Sequence, residues 1–172
     1  MLKIIPPDYR FCPFCGKKLE LKTEGVKERK FCTACNWVYY PHVATAVAAI
    51  IVRENKVLMV KRAKEPYRDT WMFPAGFVEF GEHPVDSLKR ETVEETGLQV
   101  GDSHLVGIWQ TDDDPRSSGH FCLFYLVSAL GEKITTDHEE NQSINWFEIK
   151  NPPRIGWKSH QYIMQLLKEG KV

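Results

Sequence analysis

The chain has 172 residues, 42% of them hydrophobic and 27% charged, enough for one globular domain with its own core and a small appendage. Its 23 basic and 23 acidic residues cancel, which removes any global attraction to nucleic acid or an anionic membrane, so phosphate recognition has to be local. Met1–Arg10 lacks the apolar stretch of a secretory signal, and the longest apolar run, Val43–Val52, falls far short of the roughly 20 residues that span a bilayer. A cytoplasmic protein with no membrane partner is expected.

The first segment, residues 11–36, holds four of the five cysteines and little apolar material for a core. Cys12, Cys15, Cys32 and Cys35 read C-x-x-C, sixteen residues, C-x-x-C, a spacing that closes a tetrahedral four-thiolate site around Zn²⁺. Four protein ligands leave no open position, so such a site is structural. Gly16, after the first pair, supplies the turn that points backbone amides at the sulfurs. The lysines and arginine of this segment (Lys17, Lys18, Lys22, Lys27, Arg29, Lys30) read as a solvated face, and nucleic acid is not expected as a partner. Whether the module binds a partner, helps a homodimer form or covers an edge of the next domain stays open. The expected division is a zinc ribbon over 1–41 and a larger domain over 42–172.

From Val43 the pattern changes. Val43–Val52 and Lys56–Arg62 are apolar runs separated by Arg53, Glu54 and Asn55, which predicts a β-hairpin. Ala63–Gly81, rich in aromatics, Gly and Pro, predicts a strand fragment and a long functional loop. Pro84 fits a first helical position and Gly97 the residue past a helix end, predicting a helix over Pro84–Thr96. Strands are expected over Leu105–Thr111 and His120–Ala129, separated by the turn-rich DDDPRSSG, and over Ile144–Ile149. Tyr162, Ile163, Leu166 and Leu167 recur at helical spacing within Lys158–Lys168. Cys122 falls mid-strand and reads as a small core residue.

On the Pro84–Thr96 helix, Glu91, Glu94 and Glu95 crowd about one turn. Like charges at that spacing repel and need a cation, and carboxylates with retained waters are how proteins hold Mg²⁺ or Mn²⁺ against phosphate. Val85, Leu88 and Thr92 form the face that packs on a sheet. By helix pattern alone, a metal site and a solvated acidic face weigh equally.

The flanking residues change the weighting. GFVEFGEHPVDSLKRETVEETGL, starting at Gly76, resembles the Nudix box G-x5-E-x7-R-E-U-x-E-E-x-G-U, with Gly76, Glu82, Arg90, Glu91, Glu94, Glu95, Gly97 and Leu98 at its positions and Thr92 where a bulky aliphatic is usual. The resemblance covers about Val43 to the C-terminus and implies an α/β/α sandwich around a mixed sheet. It also implies metal-dependent hydrolysis of a nucleoside diphosphate joined to another group. Glu91, Glu94 and Glu95 would be metal ligands or the base that activates water, the Gly76 carbonyl and Glu82 would assist, and Arg90 would hold the cluster. Glu140, six residues before Trp146 and Phe147, matches a further ligand or base of many members, with Glu139 as the alternative. Arg62 is a candidate phosphate contact. Trp71, Phe73, Phe77, Phe80, Trp109 and Trp157 are candidate platforms for a base, with Trp71, Phe77 and Trp109 carried forward alongside Arg62.

A zinc ribbon before a Nudix domain, with Tyr40-Pro41 after the second cysteine pair, is similar to NADH pyrophosphatases, but the signature those enzymes carry after the box is replaced here by GIWQTDDDPRSSGHF. ADP-ribose or FAD is therefore favoured over NADH. Cleansing of nucleoside triphosphates, cap removal from RNA and a non-enzymatic nucleotide sensor are the alternatives; the intact box argues against the sensor.

Overall fold

The structure, a computed structural model, describes residues 9–115, 119–131, 134–136 and 139–172. Met1–Asp8 and Arg116–Ser118, the latter within the DDDPRSSG loop, lie outside the described residues. Two compact units divide the chain, one closing at Val43 and the other running from Ala44 to Val172.

The first unit is built around its cysteines. In both C-x-x-C turns the residue after the second cysteine takes a left-handed backbone, Gly16 at φ 72° and Asn36 at φ 58°. Gly and Asn are the residues that tolerate it. The turns close by Gly16 N–H donating to the Cys12 carbonyl (2.9 Å) and Cys32 N–H to that of Trp37 (2.8 Å). Strands β1 (Glu20–Glu24) and β2 (Lys27–Phe31) form an antiparallel hairpin turned at Gly25, and β3 (Val38–Tyr39) adds to β2. Among the described residues of this unit, the buried apolar cluster is Cys12, Leu19 and Cys32 with Trp37 packed on them, and Tyr39 is buried beside β2. A core that small does not hold a fold without a staple.

The second unit is a mixed sheet between two helices. Strand β4 (Thr45–Arg53) runs through its centre and pairs in parallel with β9 (His120–Leu130) from Thr45↔Phe121 to Ile51↔Val127. It is buried on both faces, which suits its continuous run of Ala, Val and Ile. Its alternation divides the core in two. Ala46, Ala48 and Ile50 pack with Phe124 and with Ile163, Met164 and Leu167 of α2 (Lys158–Lys168). Val47, Ala49 and Ile51 pack with Tyr125 and with Leu88 and Leu98 on the side of α1 (Pro84–Thr96).

The expected hairpin is present but short. Strand β4 meets β5 (Lys56–Arg62) only at Val52↔Val57 and Arg53↔Lys56, with Glu54 at φ 54° in the turn. The rest of β5 pairs with β10 (Asn141–Glu148) and with β6 (Trp71–Met72), while the other end of β4 pairs with β7 (Ala75–Phe77). The segment read as a strand fragment and loop is thus two short strands that carry the chain from β5 across to β4. Strand β8 (Gln99–Thr111) begins six residues earlier than Leu105, because irregularities at Val100/Ser103 and Leu105/Gly107 let it stay paired with β9 through Gly101 and Asp102.

Helix α1 starts and stops where Pro84 and Gly97 indicate. His83 Nδ1 accepts from Val85 N–H, and Gly97, at φ 72°, donates its N–H to the Val93 carbonyl at 2.8 Å. Helix α2 has no side-chain cap of its own at Trp157. Asp113, from the loop after β8, supplies it instead: Oδ2 accepts from Lys158 N–H and from the Tyr67 hydroxyl, each at 3.0 Å.

We predict one zinc per chain, measured by elemental analysis. Cys32→Ser should abolish it and expose residues 9–43 to limited proteolysis while residues 44–172 stay protected, because a structural zinc in such a module contributes most of its folding free energy, about 10–16 kcal/mol in isolated fingers. Retained zinc and protection would contradict the stapled-module account.

Candidate functional site

Two clusters of metal-binding groups are present, and they differ in kind. The four thiols of Cys12, Cys15, Cys32 and Cys35 all lie within 4.8 Å of one another, the one such group of three or more His, Cys, Asp or Glu side chains among the described residues. Cys12–Cys35 is 3.4 Å, Cys15–Cys32 is 3.5 Å and Cys15–Cys35 is 3.9 Å. Sulfurs about 2.3 Å from a tetrahedral zinc stand about 3.8 Å apart, whereas disulfide sulfurs stand near 2.05 Å. The Cys35 amide draws the Cys32 thiol down to about 6, while hydrogen bonds with the Cys12 and Cys32 sulfurs push the Cys35 thiol up to about 12. The dimensions and the donor set fit structural zinc.

The second cluster lines a cavity of about 310 Å³ in the Ala44–Val172 unit. Arg62 and Lys64 come to it from the end of β5, Gly76 and Phe77 from β7, Glu91 and Glu95 from α1, and Glu140 and Asn141 from the turn into β10. The inner wall is Thr111, Asp114, His120, Ser159 and His160, with Trp157 beside them.

Arg90 organises the acidic side. Its Nε and Nη2 donate to the two oxygens of Glu82, both at 2.9 Å, and its Nη1 donates to Glu91 at 2.7 Å and Glu94 at 3.1 Å. Nη2 also reaches the Phe77 carbonyl at 3.1 Å, tying the helix to β7. The Arg90 guanidinium, helped by the Ser87 hydroxyl at 2.6 Å, holds Glu82 down at about 2. Glu91 and Glu95 face the other way. Burial raises Glu91 against the pull of Arg90. Glu95 is 2% exposed; it accepts from Ala75 N–H at 2.7 Å and Asn141 Nδ2 at 2.8 Å, yet burial still pushes it up to about 8.

Gly76 is the floor of this site. A Cβ built on it would stand 1.9 Å from the Glu91 carboxyl carbon, so only glycine lets that carboxylate lie against β7. The carboxylates of Glu91, Glu95 and Glu140 line the cavity, and an all-oxygen donor set matches Mg²⁺ or Mn²⁺, hard cations that keep part of their water shell.

Of the residues singled out in the sequence, Gly76, Glu91, Glu95, Glu140, Arg62 and Phe77 reach the cavity, and Glu82, Glu94, Trp71 and Trp109 are not among the described residues that line it. Glu82 accepts from Arg90 and Ser87, so in this arrangement it supports the guanidinium. Glu94, 55% exposed, sits on the outer side of Arg90. Trp71 packs edge-on against Phe147, and Trp109 against Phe124 and Tyr162; both are spent on the α2 core. Phe73 is fully buried, Phe80 fully exposed, and Trp157 is the tryptophan that lines the cavity. Thr111, Asp114, His120, Ser159 and His160 are cavity residues the sequence did not single out. They come from three separate elements and form no spaced pattern.

Gly76→Ala should cut turnover on the order of 10²-fold, the scale of a misplaced catalytic group, with little change in melting temperature, because the added methyl meets the far end of the Glu91 side chain and not backbone. Steady-state kinetics beside a thermal melt tests this, and wild-type turnover in the variant would sink the argument for close contact.

Comparison with known proteins agrees with this geometry. The NUDIX domain family model matches residues 41–167 and the Nudix N-terminal zinc-ribbon model residues 10–41. An ADP-ribose pyrophosphatase of Methanocaldococcus jannaschii is 30% identical over 131 residues, 75% of this chain and 76% of that protein. The NAD-capped RNA hydrolase NudC of Vibrio atlanticus is 29% identical over 148 residues, 85% of this chain, which spans about half (52%) of that relative's length. A crystal structure of a Nudix hydrolase from Nitrosomonas europaea superimposes with a TM-score of 0.74 at 26% identity, covering 94% of this chain and 92% of the other. With a complete box, a matching sheet and helices, and a four-cysteine module in front, the chain belongs to the Nudix hydrolase family, in the group that carries an N-terminal zinc ribbon.

Proposed function

We propose that the chain hydrolyses the diphosphate bridge of a nucleoside diphosphate derivative of the ADP-ribose or FAD type, releasing two monophosphates. The observation that carries this reading is a single cavity with Glu91, Glu95 and Glu140 on one side and Arg62 and Lys64 on another. Similarity to an ADP-ribose pyrophosphatase over three quarters of both chains supports the substrate class.

Mg²⁺ or Mn²⁺ held by Glu91 and Glu95 with Gly76 in the wall would neutralise the bridging phosphates and make an adjacent water more acidic. The chain's own contribution is placement. Arg90 holds Glu91 against Gly76, the Ala75 amide and Asn141 fix Glu95, and Arg62 and Lys64 meet the outer phosphate oxygens. Glu140, 3.9 Å from Lys64 and 61% exposed, is the least constrained of these carboxylates. It receives the proton of the attacking water as that oxygen bonds to phosphorus and the P–O bond of the bridge breaks toward the other phosphate. No covalent intermediate is needed.

Release of phosphatase-sensitive product from ADP-ribose, FAD, NADH and nucleoside triphosphates, each with Mg²⁺ or Mn²⁺, tests the reading. ADP-ribose or FAD should be turned over, and Glu95→Gln should lower the rate by several orders of magnitude with zinc content and melting temperature kept. Triphosphates alone as substrates would replace the proposal with pool cleansing.

Glu95 also gives a pH prediction. Its folded pKa of about 8 lies above the 4.5 of an ordinary glutamate, so the fold favours the neutral acid. The metal-free protein should therefore lose stability as pH rises from about 4.5 through about 8. A divalent cation favours the ionised form, so the melting temperature gained from Mg²⁺ should grow across that window and the growth should vanish in Glu95→Gln. A pH-independent gain in the wild type would contradict it.

A further inference from the structure

Between β6, which pairs with β5, and β7, which pairs with β4, the chain crosses the sandwich through Phe73 and Pro74, both buried. Backbone polar groups in such a place need partners. Strand β4 supplies one of them: Ala49 N–H donates to the Pro74 carbonyl at 2.8 Å. Proline has no N–H, so the donors of this segment belong to Phe73 and Ala75, and each goes to a side chain from a helix. Ala75 N–H donates to Glu95 Oε2 of α1 at 2.7 Å, and Phe73 N–H donates to His160 Nδ1 of α2 at 3.1 Å.

This strap, tied to both helices, carries the acidic site. Ala75 N–H fixes one oxygen of Glu95 while Asn141 Nδ2 fixes the other at 2.8 Å, and the next residue is Gly76, against which the Glu91 carboxyl lies. Only a proline, its φ locked by its ring, stands between Phe73 and Ala75, so a displacement at Phe73 has little room to be absorbed before it reaches Glu95. His160 is prepared for its part. It is 4% exposed, its ring stacks on Phe73 with 5.5 Å between centroids and 21° between planes, and it meets the Phe124 ring edge-on at 5.0 Å. Burial, with the charges of Arg62 and His120, holds its pKa down at about 3. The imidazole is therefore neutral, and Nδ1 keeps the lone pair that Phe73 N–H requires.

We infer that His160 is a positioning residue for the divalent-metal site: by accepting from Phe73 N–H it sets the Phe73–Gly76 backbone, and through it the places of Glu95 and Glu91, from the helix opposite the one that carries them. This rests on the reading of Glu91 and Glu95 as the groups that hold Mg²⁺ or Mn²⁺.

The test is Mn²⁺ binding to the zinc-loaded full chain, read from the EPR signal of free Mn²⁺, with the cavity site identified by its weakening in Glu95→Gln. His160→Phe keeps a flat ring in place and removes the acceptor, whereas His160→Asn removes the ring and keeps an acceptor oxygen near the position of Nδ1. His160→Phe should weaken Mn²⁺ about 10- to 100-fold, the range for losing a partner behind a metal ligand. His160→Asn should stay within about threefold of the wild type, even where the lost ring packing lowers its melting temperature. A ring that serves only the core gives the reverse order. That order, equal affinities in all three proteins, or no cavity Mn²⁺ site in the wild type would overturn the inference. If one variant does not fold, the other decides by its own limit; if neither folds, His160 serves the fold as a whole and the inference falls. Turnover of ADP-ribose is read separately: this pattern of Mn²⁺ binding in a protein that leaves ADP-ribose intact would remove the hydrolase reading and leave the role of His160 standing.

Discussion

Everything on the acidic side of this enzyme depends on one guanidinium. Glu91, Glu94 and Glu95 share a single turn of α1, and Glu82 is brought to the same place by the loop before it; in water such a group of carboxylates would pull the helix apart. Arg90 engages Glu82, Glu91 and Glu94 at 2.7–3.1 Å, and a further bond to the Phe77 carbonyl fastens the helix to β7. The distribution of charge that results is uneven by design of the geometry. The most tightly paired carboxylate, Glu82, and the exposed Glu94 do not line the cavity, while Glu91 and Glu95 are left in a desolvated wall where their ionised forms are unfavourable. A cation bound in the cavity would relieve that cost, so the same burial that strains the metal-free site raises its affinity for the ion.

The sandwich explains why those groups can be held so closely. Strand β4 sends alternate side chains to two separate cores, one under each helix. Both helices are thereby fixed relative to one strand, and the cavity opens at the end of the sheet where β5 has turned away from β4 and the β6–β7 segment crosses between them. The α1 side supplies the acidic wall and the α2 side, through Trp157, Ser159 and His160, supplies the neutral one. Asp113 joins the second wall to β8 by capping a helix that lacks a cap of its own.

Much of this was legible in the chain, for identifiable reasons. Helix α1 is bounded by residues whose backbone preferences admit few other places, Pro84 and Gly97, and α2 by an apolar stripe with helical period. The cysteine spacing specifies a four-thiolate cluster with little dependence on what surrounds it. The sequence pattern does not signal the ribbon's β1–β2 hairpin, because ELKTE and KERKF carry almost no apolar face and are joined by backbone pairing and charged side chains such as Arg29 with Glu24. The early start of β8 was hidden by Gly101 and Asp102, which look like a loop and are absorbed by irregular pairing. Trp71 and Trp109 pack on the α2-side core while Trp157 lines the cavity, and nothing local in the chain separates the three. The neutral wall was invisible for a different reason, since Thr, Ser, Asp and His from three elements acquire meaning only when the sandwich brings them together.

The proposed reaction is cleavage of a diphosphate bridge by attack of water on phosphorus, with Glu91, Glu95 and Glu140 facing Arg62 and Lys64 across one cavity. The most direct measurement is ³¹P NMR of the products formed from ADP-ribose in ¹⁸O-labelled water with Mg²⁺ or Mn²⁺. AMP and ribose 5-phosphate are expected, with one ¹⁸O incorporated into one of the two, and neither product forms without metal. Intact ADP-ribose with either ion, in protein whose fold and zinc content are normal, would contradict it.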